Sequence, residues 1–386
     1  MQPNLRAVRR TAMGRLTATG VLVLVGGFLA AVPSAQATPA TCQGYPATIV
    51  GTPGDDTITG TPGADVIVSR DGDDVVRAGK GDDIVCGGDG ADTLSGGPGA
   101  DALYGERDGQ GFDRGGSFRY PDQLSAGPGN DLLDIGRDSR PTDQGGSHGI
   151  VSFESAGRGV TVDLAAGTSS GDGADTVVTM RGLDVVGTPY DDVLLGSDGS
   201  DTLIGRTGDD QIQGLGGPDD LQPDEPHATR DHDVVDGGPG WDSIVAWRGR
   251  DVLRGGDGTD RGYLGMPGAG PSSPHRPPGP TITIRVGDGT ATRSGAQIGT
   301  LAGIEVWSFG DYLRWIYYGT DDVDTVTASY FQPFKAWTYG GDDDVTGSGK
   351  PDRIDAGDGT DTVVGYPGRD TCLNAEVISS CEDVSP

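Results

Sequence analysis

The sequence is poor in the residues that build an ordinary globular core. Only 6% of its 386 residues are aromatic, and no stretch shows the apolar spacing of a long amphipathic helix. Glycine, in contrast, occurs 70 times. A chain of this composition cannot bury enough apolar surface in a conventional core, so it either stays disordered or forms a regular repeat.

Glutamate is almost absent although the chain is strongly acidic. The formal net charge is −30, and 52 of the 58 acidic residues are aspartate. Aspartate is favoured over glutamate where a short side chain bonds to the backbone of a turn, so these acids are expected in turns. So much negative charge repels nucleic acid and anionic membranes and attracts cations. We therefore expect cations, and no nucleic acid, among the partners.

Long apolar runs are missing except at the N-terminus. There, the run TGVLVLVGGFLAAV follows a basic segment and precedes Ala35-Gln36-Ala37, which fits the small-x-small rule for signal cleavage. This pattern predicts a signal peptide over 1–37 and a secreted, extracellular protein with no membrane span in the mature chain. The pair Arg9-Arg10 leaves the choice between general and twin-arginine export open.

The chain has only four cysteines. An even number in an exported chain predicts disulfides, and three pairings are possible from sequence alone. Pairing Cys42 with Cys86 and Cys372 with Cys381 would link each end of the chain locally. No CxxC spacing supports a cysteine metal site.

The sequence contains a nine-residue repeat. Glycine recurs at position 4, aspartate at position 6 and an aliphatic residue at position 8. A copy that begins at 255 has Gly262 at position 8, so we expect that coil to end there. The repeat copies occupy 51–104, 126–134, 187–222, 228–254 and 338–373, with a weak copy at 319–327.

Each part of the repeat has a physical role. Glycine allows the backbone conformations with positive φ that a tight turn requires. The three residues after the aspartate form a short strand, and stacked copies place their aliphatic side chains in one continuous ladder. The predicted turn glycines are Gly54, Gly63, Gly72, Gly81, Gly90, Gly99, Gly199, Gly208, Gly217, Gly240, Gly359 and Gly368.

Stacking also brings the position-6 aspartates together, and their like charges require a cation. Ca²⁺ accepts six to eight oxygen ligands in loose geometry, whereas Mg²⁺ demands a strict octahedron, so calcium suits a turn of carboxylates and carbonyls. We predict several calcium ions. Their candidate ligands are Asp56, Asp65, Asp74, Asp83, Asp92, Asp101, Asp131, Asp192, Asp201, Asp210, Asp219, Asp233, Asp242, Asp251, Asp343, Asp352, Asp361 and Asp370.

The pattern GGxGxDxUx resembles the RTX, or hemolysin-type, calcium-binding repeat. The resemblance implies an all-β fold, a parallel β-roll (an RTX β-solenoid) in several repeat blocks with irregular β-rich insertions. It implies about 18 residues per coil, with the motif aspartates and turn carbonyls as ligands. The implied aspartate pairs are 56–74, 65–83, 74–92, 83–101, 192–210, 201–219, 343–361 and 352–370.

Three turns depart from the RTX pattern. Ser69-Arg70 replaces the first two glycines of one repeat, Asp322 replaces the position-4 glycine of another, and Lys350 replaces it in a third. We expect doubtful sites there. The predicted signal peptide is a further departure, because many RTX proteins leave the cell through an exporter that reads a C-terminal signal. A different export route is expected here.

Changes in composition and in the repeat pattern divide the sequence into segments. The Pro-rich stretch MPGAGPSSPHRPPGP has no core-forming residues and reads as a linker. The predicted segments are a signal peptide (1–37), an N-terminal cap with the first RTX block (38–116), an irregular β-rich insertion with one isolated repeat (117–186), a second RTX block (187–265), the linker (266–280), a β-rich aromatic segment (281–337) and a C-terminal RTX block with a disulfide cap (338–386).

The residues needed for catalysis do not converge in the sequence. There is no HExxH motif, and the GxSxG match around Ser169 is not followed by a helical pattern. We therefore expect a calcium-binding protein that is not an enzyme. Two alternatives remain: an adhesin that uses the roll as a stalk and binds a cell-surface or glycan partner through 281–340, where the aromatic residues are otherwise strand core, or a hydrolase with its site in 117–186 or 281–340.

Overall fold

The computed structural model describes residues 39–108, 122–136, 149–178, 182–224, 231–246, 250–264, 281–287, 289–293, 296–309, 314–328 and 332–385. Ala40–Pro386 form one compact unit. The predicted signal peptide 1–37 and the linker 266–280 lie outside the described residues. In the described part the chain forms strands and turns, and no helix there is long and apolar enough to cross a membrane.

The strands are short and follow one another closely along the chain. In chain order they are β1 (Thr41–Cys42), β2 (Tyr45–Pro46), β3 (Ile49–Val50), β4 (Thr57–Thr59), β5 (Val66–Asp71), β6 (Val75–Arg77), β7 (Ile84–Gly90), β8 (Thr93–Ser95), β9 (Ala102–Asp108), β10 (Gln123–Ser125), β11 (Leu132–Asp134), β12 (Ile150–Ser152), β13 (Thr161–Asp163), β14 (Thr168–Ser170), β15 (Ala174–Val178), β16 (Asp184–Val186), β17 (Val193–Ser197), β18 (Thr202–Arg206), β19 (Gln211–Leu215), β20 (Asp220–Asp224), β21 (Val234–Gly240), β22 (Ser243–Ala246), β23 (Asp251–Gly258), β24 (Arg261–Leu264), β25 (Thr281–Arg285), β26 (Thr290–Arg293), β27 (Ala296–Ala302), β28 (Val306–Phe309), β29 (Arg314–Tyr318), β30 (Thr325–Thr327), β31 (Phe334–Trp337), β32 (Asp344–Thr346), β33 (Arg353–Asp355), β34 (Thr362–Val364), β35 (Thr371–Leu373), β36 (Val377–Ser379) and β37 (Asp383–Ser385).

Successive strands alternate between two parallel sheets. Sheet 1 runs β4-β6-β8-β10-β12-β16-β18-β20-β22-β24-β28-β30-β32-β34-β36, and every neighbouring pair in it is parallel. A strand in one sheet, a turn, a strand in the other sheet and a second turn complete one coil. This is the parallel β-roll that the sequence predicted.

Sheet 2 holds the remaining strands of the roll, and two antiparallel hairpins widen it. Its order is β3-β5-β7-β9-β11-β15-β14-β13-β17-β19-β21-β23-β27-β26-β25-β29-β31-β33-β35-β37. Within sheet 2, the antiparallel pairs are confined to β13–β14–β15 and β25–β26–β27. These hairpins are the irregular insertions in an otherwise uniform roll.

The core is a ladder of position-8 side chains between the sheets. In β6, for example, Val76 is fully buried, whereas its neighbours Val75 and Arg77 face outward. Val76 lies opposite Ile58 on one side and Leu94 on the other, so identical positions of successive coils stack directly. One aliphatic residue per repeat becomes a continuous core only because every coil keeps this register.

The coil that contains Gly262 does not end there, contrary to expectation. Arg261–Leu264 pair with β22 on one side and with β28 on the other, and Gly262 lies opposite Trp307. A Cβ atom at Gly262 would come within 2.8 Å of the Trp307 ring. The indole therefore fills the space that the glycine leaves, and two residues of very different size share one step of the ladder.

The aromatic segment 281–337 continues the roll. Its strands pair with β23 and β24 before it and with β32 and β33 after it. Trp307, Trp315, Tyr317 and Phe334 are buried in the core. Trp307 and Tyr317 occupy the ladder where the flanking blocks use aliphatic residues, whereas Trp315 and Phe334 lie two residues before a ladder residue.

Two disulfides join the predicted neighbours, Cys42 with Cys86 and Cys372 with Cys381. The first attaches the β1–β2 hairpin to β7, and the second joins β35 to the segment between β36 and β37. Each bond lies in one of the two terminal parts of the described roll.

Candidate metal centre

The acids that precede the strands form two columns along the roll. The repeat places one acid two residues before most of the buried ladder residues, and parallel register stacks these acids coil upon coil. Column 1 precedes sheet 1 and contains Asp56, Asp74, Asp92 and Asp122, then Asp201, Asp219, Asp242, Asp260, Glu305, Asp324, Asp343, Asp361 and Glu376. Column 2 precedes sheet 2 and contains Asp65, Asp83, Asp101, Asp131 and Asp175, then Asp192, Asp210, Asp233 and Asp251, then Asp352, Asp370 and Glu382.

Neighbouring acids of a column are in direct contact. The backbone N–H of Asp65 donates to Oδ1 of Asp83 at 2.7 Å, and the N–H of Asp83 donates to Oδ1 of Asp101 at 2.9 Å. The same bond joins all eight predicted pairs, and it also spans wider intervals, as between Asp210 and Asp233. Each coil therefore fixes the carboxylate of the next one.

All predicted ligands except Asp56 are buried. Asp56 lies at the start of column 1 and is partly exposed. The second carboxylate oxygen, Oδ2, distinguishes two groups among the column acids. In the first group, the capped acids, Oδ2 accepts a backbone N–H from a Thr or Ser four residues earlier. The capped acids are Asp56, Asp65, Asp192, Asp201, Asp324 and Asp352.

In the second group, the open acids, Oδ2 is buried and receives no hydrogen bond. This holds at Asp74, Asp83, Asp101, Asp131, Asp210, Asp219, Asp233, Asp242, Asp260, Asp343, Asp361 and Asp370. A buried carboxylate oxygen without a donor is costly unless a cation lies beside it.

Backbone oxygens face the open acids across the first-position glycines. A Cβ atom at Gly214 would lie within 3 Å of both Asp219 Oδ2 and the carbonyl oxygen of Gly237, which belongs to the next coil. The same arrangement recurs at Gly237, with Asp242 and Gly255. Glycine leaves a small space lined by oxygens from two coils. Such a set of hard oxygen donors fits Ca²⁺, and the open acids could hold it.

Burial opposes ionisation of the open acids. It raises the pKa of Asp101 to about 7, with the like charges of Asp131 and Asp83 adding to the effect. It raises the pKa of Asp219 to about 8. Asp65 is the contrasting case, because the backbone N–H of Thr61 stabilises its charge and lowers the pKa of that carboxyl. The capped acid Asp352 also has a pKa raised to about 6, so the carboxylates with the highest pKa values, open or capped, are those whose charge a bound cation would stabilise most.

Several coils have no acid at position 6. Val160, Leu183 and Phe334 occupy that place and are buried among core residues. Their backbone N–H groups still donate to the acid of the next coil at 2.7 Å, as Leu183 does to Asp201. These coils keep the register of the roll with an apolar side chain where the others have a carboxylate.

The structure adds acids that the sequence interpretation did not select. Asp175 ends the pattern SGDGAD and precedes a buried valine two residues later, so the complete repeat was present in the sequence. Asp122 precedes Leu124 with the same spacing but lacks the glycines. Asp260 and Asp324 lie in copies that had been set aside as incomplete. Glu305, Glu376 and Glu382 take the aspartate's place and accept the same backbone bond at 2.8 Å.

The three doubtful turns keep their acids in place. Arg70 adopts a positive φ of 90° where glycine was expected, and Asp74 is buried in column 1 as usual. Lys350 donates its backbone N–H to Ser348, and Asp352 remains buried. Asp322 likewise precedes a buried Asp324. The aspartate and the ladder residue therefore position the turn more strictly than the glycines do.

The predicted turn glycines do not share one role. Gly72, Gly81, Gly208 and Gly217 have φ between 102° and 134°, which other residues resist. The remaining positions include Gly54, beside which a side chain would meet open space. Glycine at position 4 is thus required by backbone conformation in some coils only.

Ser169 of the GxSxG match lies in β14 of the first hairpin. Its hydroxyl donates to Oδ2 of Asp175 at 2.5 Å, and a further strand follows it in the chain. The serine therefore satisfies a column acid in the same way that a capping threonine does.

Comparison with known families agrees with this geometry. The family model of the RTX calcium-binding nonapeptide repeat matches residues 50–85, 86–108, 186–221, 227–262 and 337–372. No curated protein sequence matches the chain. RTX repeats of this kind bind multiple Ca²⁺ ions, so calcium is the ligand that the matched coils take.

Proposed function

We propose that this chain, whose repeats match the model of the RTX calcium-binding nonapeptide repeat, is an exported calcium binder whose coils fold as the ions bind. The observation that carries the proposal is the pair of acid columns with buried, donor-free Oδ2 atoms. Unfolded, these carboxylates are hydrated and far apart. Only the coil brings them together, so the free energy of calcium binding contributes directly to folding.

Export is supported by two features. The N-terminal pattern of basic, apolar and small residues is typical of a signal peptide. The two disulfides suit an oxidising compartment outside the cytosol. Extracellular calcium modules bind with dissociation constants of about 10⁻⁴–10⁻³ M, which would keep the coils unfolded before export and fold them afterwards.

We also propose that the chain is not an enzyme. Ser169, the one serine in a formal nucleophile motif, is buried and hydrogen-bonded to a column acid. The hydroxyl thus serves the architecture of the roll. Its position in a hairpin differs from the strand–turn–helix context in which such a serine acts as a nucleophile.

The test of calcium-coupled folding is far-UV circular dichroism of residues 38–386, titrated with Ca²⁺ and separately with Mg²⁺. We expect a transition from coil to β-structure with calcium and little response to magnesium. A β spectrum that is already complete in chelator and unchanged by calcium would contradict the proposal.

A matched pair of variants tests which acids respond. Asp83 is an open acid in contact with Asp65 and Asp101, whereas Asp56 is a capped acid at the end of its column. Asp83→Asn and Asp56→Asn remove the same charge. We expect Asp83→Asn to raise the calcium midpoint several-fold and Asp56→Asn to change it little. Equal shifts would contradict the assignment of the open acids.

A second function, binding of an anionic glycan, is favoured by one part of the outer face of sheet 2. There, Arg285 lies 4.0 Å from the centre of the Tyr318 ring, and Tyr318 stacks on Trp337 at 5.1 Å. Lys335 and Arg353 are exposed beside them on neighbouring strands. Lys335→Ala with Arg353→Ala should abolish binding of the calcium-loaded chain to an acidic polysaccharide, if the face is used. Unchanged retention on an acidic polysaccharide column would exclude this second function.

A further inference from the structure

The repeat phase is interrupted once within the second block. Asp210 and Asp233 are 23 residues apart instead of 18, and so are Asp219 and Asp242. The register of both sheets is nevertheless unbroken across this interval. The nine-residue period alone therefore does not account for the strand register at this point.

Two acids outside the position-6 columns flank the interruption. Asp224 ends β20 and lies opposite Arg206 of the preceding sheet 1 strand. Asp231 occupies the position-4 place of the repeat 228–236, where glycine is usual. Both are buried, with 2% and 6% of their surface exposed. Regular repeats bury no acid at these two places.

These acids meet the column acids at one point. One carboxylate oxygen from each of Asp224, Asp233 and Asp251 lies within 4.8 Å of the other two. The Asp231 side chain interacts with Asp224 at the edge of this group. Oxygens at such separations can ligate a single ion.

A second observation indicates a ligand at this point. Oδ2 of Asp233 and Oδ1 of Asp231 are fully buried and receive no hydrogen bond. Asp233 itself is only 1% exposed. Because the like charges of Asp224 and Asp233 add to burial, the pKa of Asp251 is raised to about 9. These atoms are therefore arranged as ligands of a cation.

We propose that Asp224, Asp233 and Asp251, with Asp231 beside them, form a calcium site of higher negative charge than the regular coils and bind the first ion. The inference rests on the proposed function, because it ranks one site above the other calcium sites of the same roll. Calcium affinity rises with the number of charged ligands, so this site fills at the lowest calcium concentration. Its ion would fix the register where the repeat phase is interrupted.

The test is isothermal titration calorimetry of residues 38–386, which include the whole compact unit, with calcium. We expect about one tight site ahead of a larger, weaker class. Asp224→Asn keeps the shape of the side chain and lies outside the columns, so it should weaken the tight site at least tenfold and leave the weaker class intact. The control is Asp257→Asn, which removes the same charge from an exposed residue of the next coil.

The outcomes separate this inference from the proposed function. If the wild-type chain shows no tight site, or if Asp224→Asn leaves it unchanged, the inference is wrong, while a calcium-induced β transition would still support the proposed function. If calcium induces no transition and no heat of binding, both fail. Asp231→Asn provides an independent check, and the β spectrum of each variant at saturating calcium must match that of the wild type.

Discussion

Acidic and apolar coils of this roll differ in the side chain that lies two residues before the ladder residue. In an acidic coil such as that of Asp219, a buried carboxylate holds the backbone of the preceding coil at 2.8 Å and leaves one oxygen without a donor. In an apolar coil such as that of Phe334, a hydrophobic side chain fills the same place. In both, the backbone N–H at this place donates to the acid of the next coil and the strand that follows keeps its parallel register, so the carboxylate is not needed for either.

The two kinds of coil meet in the aromatic segment. There, column 1 continues through Glu305 and Asp324, whereas the opposite turns carry Trp315 and Phe334 in place of acids. One edge of the segment therefore carries carboxylates, of which Asp324 is a capped acid, whereas the other edge carries buried core side chains. The difference predicts that a response to calcium belongs to single turns and varies along one continuous sheet.

The largest expected effect is the regional response to calcium removal. In chelator, the amides of acidic coils around Leu94 and Leu203 should lose protection against hydrogen exchange, because uncompensated carboxylates oppose stacking. Amides of the aromatic segment around Trp307 and Tyr317 should remain protected by a further factor of about 100. Exchange followed by mass spectrometry, with and without calcium, measures both. A uniform loss of protection would remove the distinction between the two kinds of coil.

The next effect concerns Gly262 and Trp307, the small and the large residue that lie opposite each other in the ladder. Trp307→Ala should cost about 3–5 kcal/mol of unfolding free energy, because the cavity opens against a glycine that cannot fill it. Gly262→Val should cost about 1–3 kcal/mol through its clash with the indole. The double variant Gly262→Val/Trp307→Val restores the aliphatic ladder and should recover most of the loss. Denaturant unfolding at saturating calcium measures all three.

The opposite result would be informative as well. If the double variant is no more stable than Trp307→Ala, the indole contributes more than filled volume. Its N–H bond to the carbonyl of Ile304, at 3.1 Å, is the contact to examine next.

The sequence was sufficient for the roll and for most of its acids, because both depend on one period. Asp83, for instance, could be paired with Asp65 and Asp101 because the resemblance to RTX repeats implies coils of about 18 residues. The capping of Asp65 by Thr61 was not predicted, since the repeat pattern treats position 2 as a turn residue. The cluster at Asp224 was also missed. It depends on how the extra residues between Asp224 and Asp233 bring these two side chains together, and the repeat period does not encode this.

Acidity should affect the calcium-free and calcium-loaded chains in opposite directions. Without calcium, the raised pKa values of Asp251 (about 9), Asp233 (about 8) and Asp219 (about 8) mean that the folded chain holds more protons than the unfolded chain. The contribution of these groups to the free energy of unfolding is fully present below about pH 4, and it is lost as the pH rises through about 8–9. Calcium competes with the same protons, so the loaded chain should instead lose stability toward pH 4.

Thermal unfolding followed by circular dichroism, in metal-free buffer and at saturating calcium, tests this opposition. The two melting temperatures should converge as the pH falls. If the melting temperature instead changes with pH by the same slope in both conditions, the open acids are not the groups that calcium ionises.

The smallest expected effect comes from replacing one buried carboxylate by a neutral side chain, since the apolar coils also have a neutral side chain at that place. Asp219→Asn keeps the Oδ1 acceptor for Asp201 and removes the buried charge. Without calcium, the variant should be more stable than the wild type by roughly 1–3 kcal/mol at pH 8, the cost of burying an unpaired polar group. With calcium, it should be less stable, because one ligand is gone. Asp163→Asn, on a strand of the outer face, is the matched control and should change neither value. If Asp219→Asn destabilises the chain equally with and without calcium, the carboxylate acts through its hydrogen bond alone, and the acidic and apolar coils differ less than their side chains indicate.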